Sequence, residues 1–259
     1  MRRTPKLGQH FLKHAWAAAA LAHAVNVRPN ETILEIGPGK GILTRELLKL
    51  GYVVAVEKDE ALVDLLRETF VDDVASGRLR LVGGDVRDVT SGKLGLKKYV
   101  LAANIPYYIT GEIIRQFLEG EPQPRAMALL VQKEVAQRIT SKTESILSLS
   151  VKAYGTPKIA GKVPRSHFSP PPSVDSAILV ITDISKKIFD DISEDDLFKV
   201  VRAGFASKRK YLANNLAREF DKGRVMDALL MCGVPEKARA EDVPLEKWKG
   251  LTKVLLGHG

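Results

Sequence analysis

One cysteine, Cys232, is all that the 259 residues hold, which excludes an intrachain disulfide framework and any cysteine-rich metal site. Long apolar runs are missing as well. The longest candidate, Ala15 to Val25, is interrupted by His23 and falls short of the ~20 apolar residues that a membrane-spanning helix needs. The basic start, Met1-Arg2-Arg3-Thr4-Pro5-Lys6, is followed by no apolar signal core with a cleavage site. Internal repeats and long low-complexity tracts are also lacking. A cytoplasmic monomer with no membrane partner and no bound metal is therefore the expectation. Acid is in deficit: 40 Lys and Arg face 31 Asp and Glu, a formal net charge of +9. That balance favours a polyanionic partner, and nucleic acid is the commonest, although solvated lysine faces produce it too. The length and a hydrophobic share of 45% are enough for one large α/β domain with a smaller appendage.

The patterns that are present alternate between strands and helices. Thr32 to Ile36 reads as a short strand, Gly37-Pro38-Gly39-Lys40-Gly41 as a turn, and Ile42 to Leu50 as an amphipathic helix ended by Gly51. Glycines at 37, 39 and 41 let the backbone pass close to a ligand where a Cβ would collide. The turn is not the dinucleotide fingerprint, which needs a glycine where Ile42 stands, nor a phosphate loop, since Lys40 precedes Gly41 rather than Ser or Thr. The next strand ends in Glu57, twenty positions after Gly37, where a carboxylate can accept both hydroxyls of an adenosine ribose; it also suits the start of the following helix. A third strand leads into Gly83-Gly84-Asp85, and Asp85 is placed either to accept from an adenine amino group or to make a turn. Ligands of open parallel sheets bind outside the carboxyl ends of the strands, so three polar groups at successive strand ends describe a site for an adenosine-containing cofactor.

The fourth strand, Tyr99 to Ala103, delivers Asn104-Ile105-Pro106-Tyr107-Tyr108. A carboxamide, a rigid proline and an aromatic ring at a strand end can grip a nucleobase. Hydride chemistry leaves such a clamp unexplained, whereas S-adenosylmethionine requires an acceptor held in line with its methyl group. Asn104, the Ile105 carbonyl, Pro106 and Tyr107 are the candidate catalytic set, with an exocyclic adenine amine as acceptor. The stiff segment Phe168-Ser169-Pro170-Pro171-Pro172 either presents Phe168 to the other face of the base or is a plain rigid loop. Lys158 to Val163 and Ser176 to Thr182 read as two further strands, the second buried on both faces. Beyond Asp183 only helical patterns follow. Leu197 to Arg218 carries six basic residues and no acid. Lys208, Arg209 and Lys210 within it are candidates for RNA phosphate contact, against the alternative of a solvated face.

Gly8-Gln9-His10-Phe11-Leu12, Glu35-Ile36-Gly37-Pro38-Gly39-Lys40-Gly41, Gly84-Asp85, Asn104 to Tyr108, Gln132-Lys133-Glu134-Val135-Ala136, Phe168 to Ser176 and Asn214-Asn215-Leu216 together resemble the small-subunit ribosomal RNA adenine dimethyltransferases, the kasugamycin-resistance family, almost from end to end. The resemblance implies a Rossmann-like class I S-adenosylmethionine-dependent methyltransferase domain over 1–184 and a small all-helical RNA-binding domain over 185–259. It implies N6,N6-dimethylation of two adjacent adenines in a hairpin near the 3′ end of small-subunit ribosomal RNA, with the assembling subunit as partner. By position it carries a cofactor site to His10, Leu12, Glu35, Gly37, Gly39, Glu57, Asp85 and Asn104; His10 stands where many members have Asn. Two competing readings are the antibiotic-resistance dimethylases of large-subunit RNA, which share the Asn-Ile-Pro-Tyr clamp, and a non-catalytic RNA-binding assembly factor on the same fold.

Overall fold

A computed structural model describes residues 10–257; the expectations that fall on the basic start and on Gln9 lie outside them. Two compact units are present. One comprises the chain up to Ala136 together with Thr156–Ile184, the other Gln137–Gly155 together with the chain from Ser185.

The first unit begins with a two-residue strand, β1 (Phe11–Leu12), and α1 (Ala15–Ala24). The alternating part then runs β2 (Thr32–Ile36), α2 (Ile42–Leu47), β3 (Val53–Glu57), α3 (Glu60–Thr69), α4 (Val71–Ala75), β4 (Leu79–Gly83), β5 (Tyr99–Ala103), α5 (Thr110–Glu119), β6 (Met127–Gln132) and α6 (Lys133–Thr140), and α6 carries the chain across the first crossing. After α7 (Ile146–Lys152) in the second unit, the first is completed by β7 (Thr156–Val163), β8 (Phe168–Ser169) and β9 (Ser176–Thr182).

Among the described residues, seven strands form one sheet in the order β4-β3-β2-β5-β6-β9-β7. The pairs from β4 to β6 are parallel, and β9 runs antiparallel to both β6 and β7. β3 and β5 are buried along their whole length, as expected for central parallel strands covered by helices on both faces. β7 is the opposite case: it lies at the edge, is mostly exposed, and carries Lys158, Gly161 and Lys162 with a register irregularity between Ile159 and Gly161, features that discourage pairing with another chain. The strand order reverses between β2 and β5, which opens a crevice at their carboxyl ends.

The helical unit contains α7, α8 (Glu194–Gly204), α9 (Leu212–Leu216), α10 (Lys222–Met231) and α11 (Leu245–Leu256). Its core includes Leu197, Val201, Leu212, Leu216, Trp248 and Leu251, and no room for a Cβ remains between Gly204 and the Trp248 ring. The sequence placed a single boundary after residue 184, but residues 137–155 group with the helical unit. The Glu144 amide donates to the Glu241 carbonyl at 2.8 Å, Ser185 N–H to the Tyr154 carbonyl at 2.8 Å, and the Tyr154 and Phe189 rings lie 5.1 Å apart. A helical pattern looks the same whichever core it packs into, so nothing in composition marks that excursion.

Candidate active site

β2 leads into the glycine turn, in which Gly37, Gly39 and Gly41 have φ of +66°, +59° and +81°, a region that β-carbon-bearing residues enter at a cost. Two of the three are also required by intramolecular packing rather than by ligand approach. A Cβ on Gly39 would stand 3.0 Å from the Phe11 ring, and one on Gly41 would stand 2.5 Å from the Phe70 ring. Gly37, by contrast, has only the Asn104 carbonyl near that position, at 3.9 Å. The turn borders a cavity of about 320 Å³, lined also by His10, Leu12, Glu57, Asp85, Asn104 and Tyr107.

Glu57, at the tip of β3, is 7% exposed. Its Oε2 accepts from Gly39 N–H at 3.1 Å and its Oε1 from Asp59 N–H at 3.0 Å. Each carboxylate oxygen keeps a further lone pair, so the side chain is fixed and still able to accept. Asp59 caps α3 by accepting from Ala61 N–H at 3.0 Å; Glu57 therefore orients the helix start as well as the cavity wall. Asp85 is more heavily engaged. It accepts from Lys58 Nζ at 2.8 Å, from Arg87 Nη2 at 2.6 Å and Nε at 3.0 Å, and from the Arg87 amide at 3.1 Å. The Arg87 guanidinium first, then Lys58, hold its carboxyl well below the usual carboxylate range, so it stays ionised.

On the other side of the switch point, the Asn104 Nδ2 donates to the His10 carbonyl at 3.3 Å, leaving the carbonyl end of the amide available as an acceptor. Ile105 is buried, Pro106 is extended at φ −56° and ψ 134°, and Tyr107 begins a short 3-10 turn. The Tyr107 hydroxyl is 2.6 Å from Ser176 Oγ, at the start of β9, and its ring stacks on His10 with centroids 5.7 Å apart and planes at 29°. Against the Pro170 carbonyl, which can only accept, His10 Nδ1 at 2.8 Å must be the donor.

Two of the residues expected in the site stand elsewhere. Phe168 is 1% exposed, pairs with Leu12 through β8, belongs to the core with Ala17, Leu21 and Val163, and does not line the cavity. A large apolar ring is buried where a core is available, so Phe168 does not present itself to the far face of a base; the ring that stacks on Tyr107 is His10. Glu35 is wholly buried in β2 and also does not line the cavity; burial pushes its carboxyl up to about 8, an effect partly opposed by the Thr44 hydroxyl and increased by the Glu57 charge. Phe11 also lines the cavity, its ring carrying Lys40 Nζ 5.4 Å from its centroid; the Lys58 and Arg87 pair on Asp85 was missed in the sequence. Lys58 directly follows the strand-end acid and Arg87 lies two residues beyond Asp85, a spacing that hints at the second ion pair.

Lys208, Arg209 and Lys210 are exposed in the turn between α8 and α9. Buried Asn215 secures that turn, donating through Nδ2 to the carbonyls of Gly204 at 2.7 Å and Ser207 at 2.9 Å.

A model of the ribosomal RNA adenine dimethylase family matches residues 2–256. This chain belongs to that family. It is 42% identical over 259 residues to a ribosomal RNA small subunit methyltransferase A of Dehalococcoides mccartyi, covering 97% of this chain and 88% of that one, and 36% identical to the protein of the same name in Moorella thermoacetica, covering 96% and 91%. Among solved structures, the 23S rRNA methyltransferase ErmE superposes with a TM-score of 0.75 at 27% identity, covering 95% of this chain and 99% of that one. A dimethyladenosine transferase from Plasmodium falciparum shares the fold with a TM-score of 0.79 at 24% identity, over 93% and 96%. The dimethylase is thus an S-adenosylmethionine-dependent methyltransferase on a Rossmann-like sheet with a helical C-terminal part. The cavity fits that cofactor, because its hydroxyls and amines need acceptors, and Glu57, fixed by two amides with lone pairs to spare, supplies them beside a turn whose Gly37 leaves open space.

Proposed function

We propose that this family member dimethylates the N6 amines of two adjacent adenines in a hairpin near the 3′ end of small-subunit ribosomal RNA, during assembly of that subunit. The observation that carries the reading is the sharing of one cavity by fixed Glu57 and by Asn104 with Tyr107. The small-subunit substrate is supported by the names of relatives at 36–42% identity over nearly the whole chain.

S-adenosylmethionine, when bound, supplies an electrophilic methyl group. Glu57 accepts from its ribose hydroxyls, while His10, Leu12, Gly37, Gly39 and Asp85 complete that wall. Asn104 Oδ1 and the Ile105 carbonyl each accept one N–H of the adenine amine. This orients a nitrogen whose lone pair is otherwise delocalised into the ring and favours its pyramidal form. Tyr107, held by Ser176 and backed by His10, stacks on the base. Positioning and electrostatics supply the catalysis, and the methylated ammonium is acidic enough to release its proton to water. Lys208, Arg209 and Lys210 bind RNA phosphates.

The test is incubation with labelled methyl donor and undermethylated ribosomal subunits, followed by mapping of modified bases. Label on two neighbouring adenines of the small subunit is expected. Label on large-subunit RNA would transfer the chain to the antibiotic-resistance type, and RNA binding with no transfer to either would make it an assembly factor.

A further inference from the structure

Beyond the clamp, a second aromatic group stands on the same edge of the sheet. Trp16, at the start of α1, is 59% exposed, and an exposed Trp ring, with one apolar body and one N–H, is of the kind enriched at binding interfaces. It meets the His167 ring edge-on, with centroids 5.7 Å apart and planes at 83°, and His14 packs on His167 at 4.3 Å. His167 Nδ1 is buried without a hydrogen-bond partner. Lys13 and Arg165 beside them are exposed. Arg165 donates through Nη1 to the Ser173 carbonyl at 3.5 Å and through its amide to Asp175, while no acid pairs with Lys13 among the described residues.

The topology sets where this cluster lies. Leu12 lines the cavity and pairs with Phe168, and the Lys13 amide donates to the His167 carbonyl at 2.9 Å. Trp16 is four residues past Leu12, at most about 14 Å of extended chain. β7 ends at Val163 opposite Ser176, the residue that holds Tyr107, so Arg165 and His167 emerge on the carboxyl edge as well. Across the sheet order, Glu57 and Asp85 occupy the β3 and β4 ends, Asn104 and Tyr107 the β5 end, and the Trp16 cluster the β9 and β7 side. With the cofactor on one flank of the clamp, the polynucleotide must continue along the other.

The geometry points to a stacking platform on Trp16, His14 and His167 for an unpaired RNA nucleotide flanking the target adenine, with Lys13 on its phosphate. The inference rests on the reading of the cavity as an RNA adenine site. Base stacking on aromatic side chains tolerates any sequence, so the platform holds the strand without choosing it.

The test uses the full chain with the proposed hairpin RNA and, in parallel, an unrelated single-stranded RNA of equal length. Trp16→Ala is expected to weaken binding of both about tenfold and to raise KM for the hairpin with kcat little changed; Trp16→Phe recovers most of the loss, and cofactor affinity is unaltered in both variants. RNA should quench the tryptophan emission of the wild type far more than that of Trp16→Phe, because the remaining Trp248 is wholly buried. An abasic residue at the flanking position should bind the wild type and Trp16→Ala alike. Equal dissociation constants for wild type and Trp16→Ala, on both RNAs, would overturn the platform. Failure of the wild type to methylate the hairpin counts instead against the small-subunit reading, and the dissociation constants still decide the inference.

Discussion

The two flanks of the switch point are built differently. At the β2, β3 and β4 ends the wall is made of ionic and backbone groups already bonded to one another: Glu57 on two amides, Asp85 on Lys58 and Arg87, and a glycine turn braced by Phe11 and Phe70. At the β5, β9 and β7 ends it is made of rings, with Tyr107 on His10 and Ser176, Tyr108 75% exposed, and the Trp16 cluster beyond. A preorganised polar wall suits a small, richly hydrogen-bonding cofactor, since little must be ordered on binding. Exposed rings suit a polymer whose bases arrive one after another and differ in their edges but not in having a π face. Asp85 sharpens the contrast, because its four bonds leave it no free lone pair for an adenine amino group; the exposed Lys58 or Arg87 side chain must turn aside for it to accept one.

The largest expected effect lies on the acceptor flank. Asn104→Ala removes the side-chain acceptor for the amine and is expected to lower kcat by at least about 10²-fold, the scale of removing one preorganised polar group from a reacting centre, while cofactor affinity changes little. Single-turnover methylation beside a cofactor titration measures both; turnover within a few-fold of wild type would remove Asn104 from the mechanism. The reciprocal change is Glu57→Ala on the cofactor flank. Loss of a hydrogen bond to a charged group, about 1.5–3 kcal/mol, predicts cofactor binding weaker by roughly 10- to 150-fold with RNA affinity preserved, read by calorimetry. If both variants impaired both ligands equally, the division into two flanks would fail.

How much of this the sequence made legible follows the same division. Strand-end residues were readable because period and burial place them: Glu57, Asp85 and Asn104 all line the cavity, and β2, β3 and β5 run close to their expected limits. Residues whose position depends on long-range packing were not. Phe168 lies among three prolines and a serine, and no local pattern tells a presented ring from one tucked under α1. The antiparallel insertion of β9 between β6 and β7 leaves no mark on a strand buried on both faces. Glu35 shares a motif with the glycine turn, yet the two-residue alternation of β2 points it away from the cavity that the turn borders.

A smaller effect is expected from the basic turn of the helical unit. Neutralising Lys208, Arg209 and Lys210, all exposed, should reduce the slope of log affinity against log salt by about 0.7 for each phosphate of single-stranded RNA that is no longer neutralised, without altering cofactor binding. An unchanged slope would confine the RNA-binding surface to the aromatic flank and make this turn a solvated face.

The smallest effect at acid pH, growing towards alkaline pH, concerns the floor beneath the cofactor flank. Glu35 is wholly buried, and that burial, opposed in part by the Thr44 hydroxyl, raises its carboxyl from 4.5 to about 8. Between those values the folded chain holds a proton that the unfolded chain has released, so stability falls as pH rises through that window. Its contribution is complete below about pH 4.5 and lost above about pH 8, where the buried group must ionise. Glu35→Gln keeps the shape and abolishes the titration. Urea midpoints for the variant and wild type should therefore lie close together at about pH 5 and separate by about pH 8.5, with the variant the more stable. A separation that does not change with pH would mean that Glu35 already folds ionised, and the cofactor flank would then rest on a buried charge rather than on a neutral acid.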